Sequence, residues 1–120
     1  MHRDIKPHNI YYKDEESKII KLGDFFCAIK IDENPSDSIG TVLYNPPEIL
    51  KDFEYDEKVD LWSLGITLFE LYFGILPYGP DADVHSMMND ISEENFVLKK
   101  HLKKKRNLKF LPLIYYLKDY

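Results

Sequence analysis

His2-Arg3-Asp4-Ile5-Lys6-Pro7-His8-Asn9 is the stretch on which the reading of the chain turns. Asp4 and Asn9 stand five apart, and a tight loop can aim both side chains at one point. Lys6 lies between them. Asp24 ends a short β-prone run further on, and a hairpin between the two places returns the chain toward Asp4. Two carboxylates, an amide oxygen and an ammonium make a site for Mg²⁺ and phosphate. Mg²⁺ takes hard oxygen ligands and usually keeps one or two carboxylates plus substrate phosphates. Lys6 can neutralise charge on a transferring phosphoryl group, and Asp4 can accept a hydroxyl proton. A single Asp or Asn in a turn more often serves local backbone hydrogen bonds. The weight therefore rests on several such groups in order.

Outward from this stretch, residues 9–12 and 19–22 are short β-prone runs joined by the charged turn 13–18, which predicts a hairpin. Residues 25–45 are irregular, with Asn34-Pro35-Ser36-Asp37-Ser38 as a loop signal. Pro46-Pro47-Glu48-Ile49-Leu50 can open a short helix, since proline is tolerated in a first turn. Residues 56–73 predict the strongest helix, apolar on nearly every side and so expected in the middle of the protein. Asp56 is its expected N-cap and Gly74 its stop. One or two polar helices are expected in 82–106 and a last apolar helical segment in 108–117. There is no internal repeat.

The 120 residues suit one domain on the usual ~100–200 residues. An apolar share of 44%, with 14% aromatic, supports a packed core over disorder. No apolar run reaches the ~18 residues of a membrane span. Cys27 is the only cysteine, which rules out an intrachain disulfide and a cysteine-based metal site and favours a cytoplasmic or nuclear chain. The net charge of −5 hides an asymmetry: residues 1–97 carry 8 Lys/Arg against 20 Asp/Glu, and residues 98–120 carry 8 against 1. The basic run 99–106 reads first as a solvated face, ahead of a nucleic-acid or lipid contact or a localisation signal. Nucleic acid is not expected as a partner.

Five motifs in order give a more specific reading. His2 to Asn9 matches H-R-D-x-x-x-x-N. Asp24-Phe25-Phe26 stands where Asp-Phe-Gly is expected. Gly40-Thr41-Val42-Leu43-Tyr44-Asn45-Pro46-Pro47-Glu48 resembles G-T-x-x-Y-x-A-P-E, Asp60-Leu61-Trp62-Ser63-Leu64-Gly65 resembles D-x-W-S-x-G, and Gly74-Ile75-Leu76-Pro77-Tyr78 resembles G-x-x-P-F. Together they resemble the catalytic core of the eukaryotic protein kinases, of Ser/Thr type. The resemblance implies a serine/threonine-protein kinase, a transferase that uses ATP and Mg²⁺ to phosphorylate protein hydroxyls. It implies Asp4 as catalytic base, Lys6 at the γ-phosphate, Asn9 and Asp24 as Mg²⁺ ligands, and Thr41 bracing Asp4 and Lys6. His2 would hold the loop, and Asp60 would hold the loop's backbone from the central helix. Arg3 would pair with a phosphorylated residue of the activation segment through charge-assisted hydrogen bonds. Ser36 and Ser38 are the candidates there, with Asp37 and Glu33 able to mimic part of the charge. Glu48 would seek a late arginine, and Arg106 comes too early to serve.

Two departures stand out. Phe26 replaces a glycine, which resists the backbone angles glycine permits, and Pro46 replaces an alanine. The glycine-rich loop and ATP-binding lysine of the family find no place, because the catalytic loop starts at residue 2. The fold expected is therefore mainly α with a small β-hairpin: a protein-kinase-like C-terminal lobe over 1–120, with the N-terminal lobe absent. In it the catalytic loop is 2–9, the activation segment 24–48 and the central helix about 56–73. Such a fragment would be inactive alone, and a partner could cover the face left open. The alternative is a non-catalytic fragment or pseudokinase that acts only as a binding module.

Overall fold

The computed structural model describes residues 1–92, apart from 15, 17, 34, 36, 52 and 79–82. Ser36, Arg106, the basic run 99–106, the segment 108–117 and most of the expected polar helices lie outside the described residues.

The chain starts with an irregular loop that tightens into a 3₁₀ turn at Pro7–Asn9, where proline at the first position suits the missing donor. Strands β1 (Ile10–Tyr12) and β2 (Ile20–Leu22) follow as an antiparallel pair in the register Ile10↔Leu22, Tyr11↔Lys21 and Tyr12↔Ile20. Gly23 N–H donates to the Asn9 carbonyl at 2.9 Å, so the hairpin closes directly onto the loop ahead of it. A loop whose described residues include turns, with Ala28 N–H donating to the Phe25 carbonyl and Glu33 N–H to the Lys30 carbonyl, leads to a second 3₁₀ turn, Val42–Tyr44, and to the short helix α1 (Pro47–Leu50). Up to α1 the described chain is hairpin, turn and loop. The expected mainly helical character thus holds only from α1 onward, as the spacing of Asn, Asp, Gly and Pro through 23–46 denies any longer helix.

Helix α2 spans Lys58–Phe73. The Asp56 carboxylate accepts the Lys58 N–H at 3.0 Å, satisfying one of the donors a helix start leaves open. Gly74 ends the helix at φ 73, in the left-handed region that glycine enters without penalty, and its N–H returns to Glu70 at 2.7 Å. One side of α2 is buried through Val59, Ser63, Gly65, Ile66, Thr67 and Phe69, while Leu61, Leu71 and Tyr72 are exposed. The all-round burial expected of it is therefore not what the structure has: the described neighbours pack against one face.

Helix α3 (Val84–Ser92) starts with a reciprocal cap, in which Asp83 accepts the Ser86 N–H at 2.7 Å and Ser86 accepts the Asp83 N–H at 3.0 Å. The core joins Tyr44, Ile66, Tyr78 and Met87, with Leu43, Leu50, Trp62, Leu76 and Ile91 packed against it. Ile49 and Val59 are also fully buried. This core fixes the Val42–Tyr44 turn against α2, and with it the residues just ahead of the turn. No helix among the described residues is long and apolar enough to cross a membrane.

Candidate active site

The loop 2–9 is held from below by α2. Asp60 accepts the His2 N–H at 2.6 Å on one carboxylate oxygen and the Arg3 N–H at 2.8 Å on the other. Two turns along the same face, the Thr67 hydroxyl donates to the Ile5 carbonyl at 3.3 Å. Between them Ser63 donates to the Tyr44 carbonyl at 2.9 Å, and beyond Thr67 Glu70 accepts the Tyr44 hydroxyl at 2.5 Å. Asp60, Ser63, Thr67 and Glu70 follow i, i+3, i+7, i+10, so one narrow stripe of an otherwise apolar helix faces the two loops. Arg3 takes φ 66 as a result, a left-handed conformation that a non-glycine residue holds only when its surroundings over-determine it.

Above this base, Asp4 collects three side chains. Thr41 donates to Asp4 Oδ1 at 2.6 Å, Lys6 Nζ to Asp4 Oδ2 at 2.9 Å, and Asn9 Nδ2 to Asp4 Oδ2 at 3.1 Å and to the Asp4 carbonyl at 2.8 Å. Lys6 also donates to the Thr41 hydroxyl at 2.7 Å, which closes a triangle of Asp4, Lys6 and Thr41. Burial pushes the Asp4 carboxyl up, but the hydrogen bonds from Thr41 and Lys6, the Lys6 charge and the bond from Asn9 outweigh it. The carboxyl is held below its usual range and stays ionised at neutral pH.

His2 is buried and bridges two strands of chain. Its Nδ1 accepts the Asp4 N–H at 3.3 Å, so Nε2 carries the proton and donates to the Gly23 carbonyl at 3.0 Å. The Phe25 ring meets the imidazole edge-on at 4.9 Å. Asp24 stands next to that bond with φ 59. Its carboxylate is exposed and has no protein partner among the described residues, unlike Asp4 and Asn9. The positive φ of this segment falls on Asp24 and not on Phe26, so Phe26 carries no left-handed strain; its side chain is 92% exposed.

Arg3, also buried, sends Nε to the Cys27 carbonyl at 2.6 Å and Nη1 to Asp37 Oδ1 and the Tyr55 hydroxyl, each at 2.8 Å. Ser38 is exposed, without a hydrogen bond among the described residues. Glu48 is half-buried, and none of the ion pairs of the described residues includes it.

The residues thus fall into four groups. Asp4, Lys6, Asn9 and Thr41 meet directly; His2, Arg3 and Asp60 support them; Asp24 adjoins through His2 and Gly23. Ser38 and Glu48 stand apart. The sequence reading missed Tyr55 and Thr67. Thr67 lies in the polar spacing of α2, which marks a stripe but not the Ile5 carbonyl it reaches. Tyr55 carried no signal, since it reaches Arg3 across 52 residues from an irregular segment.

The cluster's remaining acceptors are hard oxygens. Asn9 Nδ2 is spent on Asp4, which leaves its amide oxygen, and Asp24 offers a free carboxylate. That set fits Mg²⁺, which needs few protein ligands. Among the described residues no group of three or more His, Cys, Asp or Glu could hold a metal ion.

The protein kinase domain family model matches residues 1–114. The chain belongs to the protein kinase domain family. It is 39% identical over 105 residues to the serine/threonine-protein kinase atg1 of Dictyostelium discoideum, covering 85% of this chain and 16% of that protein. It is 46% identical over 74 residues to the Wee1-like protein kinase of Arabidopsis thaliana, covering 61% of this chain and 14% of that protein. It is 43% identical over 97 residues to the serine/threonine-protein kinase TIO of Arabidopsis thaliana, covering 78% and 7%. The chain therefore spans a small part, under a fifth, of these relatives.

The match corrects the fold class expected from sequence, a C-terminal lobe with the N-terminal lobe absent. The protein kinase domain description takes in this chain from its first residue to residue 114, hairpin and helices together. The absence of a lobe had been inferred from where the catalytic loop stands in the numbering, and a starting position carries no information about packing.

Proposed function

We propose that these residues form the phosphoryl-transfer centre of a serine/threonine protein kinase, with ATP as donor and a protein Ser or Thr hydroxyl as acceptor. The observation that carries this reading is the triangle of Asp4, Lys6 and Thr41, closed by bonds of 2.6, 2.7 and 2.9 Å. Asp4, kept ionised by its donors, accepts the proton of the substrate hydroxyl as that oxygen attacks phosphorus. Lys6 would meet the transferring phosphoryl group while still fixed by Thr41. Its positive charge offsets the charge that spreads over the phosphoryl oxygens. Asn9 Oδ1 and Asp24 would hold Mg²⁺, which when bound neutralises phosphate charge and orients the donor. His2 and Asp60 hold the loop so that Asp4 and Asn9 present these atoms together. Lys6 in this place matches the pattern of the family's Ser/Thr-directed members, which supports Ser or Thr acceptors over tyrosine.

The 120 residues contain no G-x-G-x-x-G, and alone they are expected to give negligible turnover. The test is therefore ATP-dependent phosphate incorporation into protein Ser and Thr by the native polypeptide that carries these residues. Asp4→Asn should reduce it by about 10³-fold or more, since it removes the proton acceptor. Asp24→Ala should abolish the response to Mg²⁺. Equal incorporation by wild type and Asp4→Asn refutes the reading.

A further inference from the structure

Arg3 joins three separated pieces of chain. It is 4% exposed, and a buried guanidinium is tolerated only when an anion and hydrogen-bond acceptors compensate it. The Cys27 carbonyl takes Nε, and Asp37 and Tyr55 share Nη1. The Tyr55 hydroxyl lies 3.1 Å from both the carbonyl and the carboxylate Oδ1 of Asp37, so it accepts from Arg3 while giving its proton to Asp37. Asp37 is the sole ion-pair partner of Arg3 among the described residues, and its side chain is 59% exposed. A pair so open to water contributes little when its carboxylate swings freely. Tyr55 removes that freedom, because it binds Arg3 and Asp37 at once.

What the ring of three controls lies next to it. Gly40 follows Asp37 closely and passes so near the Arg3 carbonyl that a Cβ would lie 2.3 Å from that oxygen. Thr41, next along, donates to Asp4. We propose that Asp37 and Tyr55 close a phosphate-independent clasp on Arg3 that holds segment 37–41 in place, with Tyr55 as the positioning residue. Thr41 then stays on Asp4 and Lys6 without any modification of the segment. Ser38 points to no part of the clasp: it is exposed and makes no bond to Arg3. The consequence for catalysis rests on the function proposed above; the clasp itself is a feature of the fold.

The test is amide hydrogen exchange, read by mass spectrometry, on the full chain made in bacteria and treated with phosphatase. In the unmodified wild type, amides of 38–45 should exchange at least about tenfold more slowly than in an unstructured peptide. Tyr55→Phe and Asp37→Asn should each remove about tenfold of that protection, the effect of one lost charge-assisted bond. Exchange within Lys58–Phe73 should not change. Asp37→Glu should restore protection and Asp37→Ser should not. Free exchange of 38–45 in the unmodified wild type overturns the proposal, whether or not α2 is protected. So does protection that survives both Tyr55→Phe and Asp37→Asn. If a variant loosens α2 as well, the Glu substitution decides: Glu behaving like Asn overturns the clasp, and Glu behaving like wild type supports it. A protected segment together with no phosphate transfer by the native polypeptide that carries these residues refutes the kinase reading alone. Transfer retained with 38–45 unprotected refutes the clasp alone.

Discussion

Thr41 gives its hydroxyl proton to Asp4 at 2.6 Å and takes one from Lys6 at 2.7 Å, so one small side chain orients both charged groups of the candidate centre. A hydroxyl does this because it donates and accepts at once. Thr41→Val keeps the shape and loses both roles. It should lower phosphate transfer by about 10²-fold, mostly in kcat, since the geometry of the acceptor is what suffers. Thr41→Ser should keep most of the activity. Steady-state kinetics on the two variants of the native polypeptide that carries these residues checks this.

Acid should weaken the fold partly through Asp4. Its folded carboxyl is held below the usual range by Thr41, Lys6 and Asn9, against the upward push of burial. A group with a depressed folded value contributes stability that is fully present above its unfolded value, about 4. That contribution fades as the pH falls through the folded value. Urea unfolding of wild type and Asp4→Asn should therefore show a stability gap that is largest near neutrality and narrows below about pH 4. A constant gap would contradict the assignment. Asp37 shifts the same way but lies mostly exposed, so its share is screened.

Two glycines with positive φ should respond differently to alanine. Gly40 has φ 89 and no room, with the Arg3 carbonyl 2.3 Å from the added carbon; Gly74 has φ 73 and open space. Gly74→Ala should cost about 1 kcal/mol of backbone strain. Gly40→Ala must also move the loop that carries Asp4, and should cost more than about 3 kcal/mol or prevent folding. Denaturant midpoints of the two variants decide it.

Tyr44 should stay protonated where ordinary tyrosines ionise. Its ring is in the core, and burial, then the Glu70 hydrogen bond and charge, all raise its value. Alkaline difference spectra of the folded chain should give the same tyrosinate signal below about pH 11 for wild type and Tyr44→Phe. The variant should also lose about 1–3 kcal/mol of stability, because Glu70 is left without its donor.

What the sequence disclosed and what it withheld divide along a physical line. The hairpin was legible because β-prone pairs flank a charged turn, and α2 because apolar residues run between a cap and a glycine. Asp4, Lys6 and Asn9 could be grouped because they share one short loop, and Thr41 joined them only through the resemblance of its motif. The links that depend on distance in space were hidden: Arg3 to Tyr55, and Thr67 to the Ile5 carbonyl. Periodicity reports that a helix has an apolar face, not what its few polar residues touch. The same limit explains why α2 was expected to be covered all round, though Leu61 and Leu71 are exposed.

The left-handed backbone of Arg3 has a practical consequence for anyone who would transplant this centre. Residues 2–9 do not encode their own shape. Asp60 grips two of their peptide N–H groups, Thr67 a carbonyl, and Thr41 the side chain of Asp4. As a free peptide, or spliced into an unrelated scaffold, the octamer would relax to ordinary angles and scatter its donors. A working graft has to carry the stripe of α2 and the turn at Val42–Tyr44 along with it.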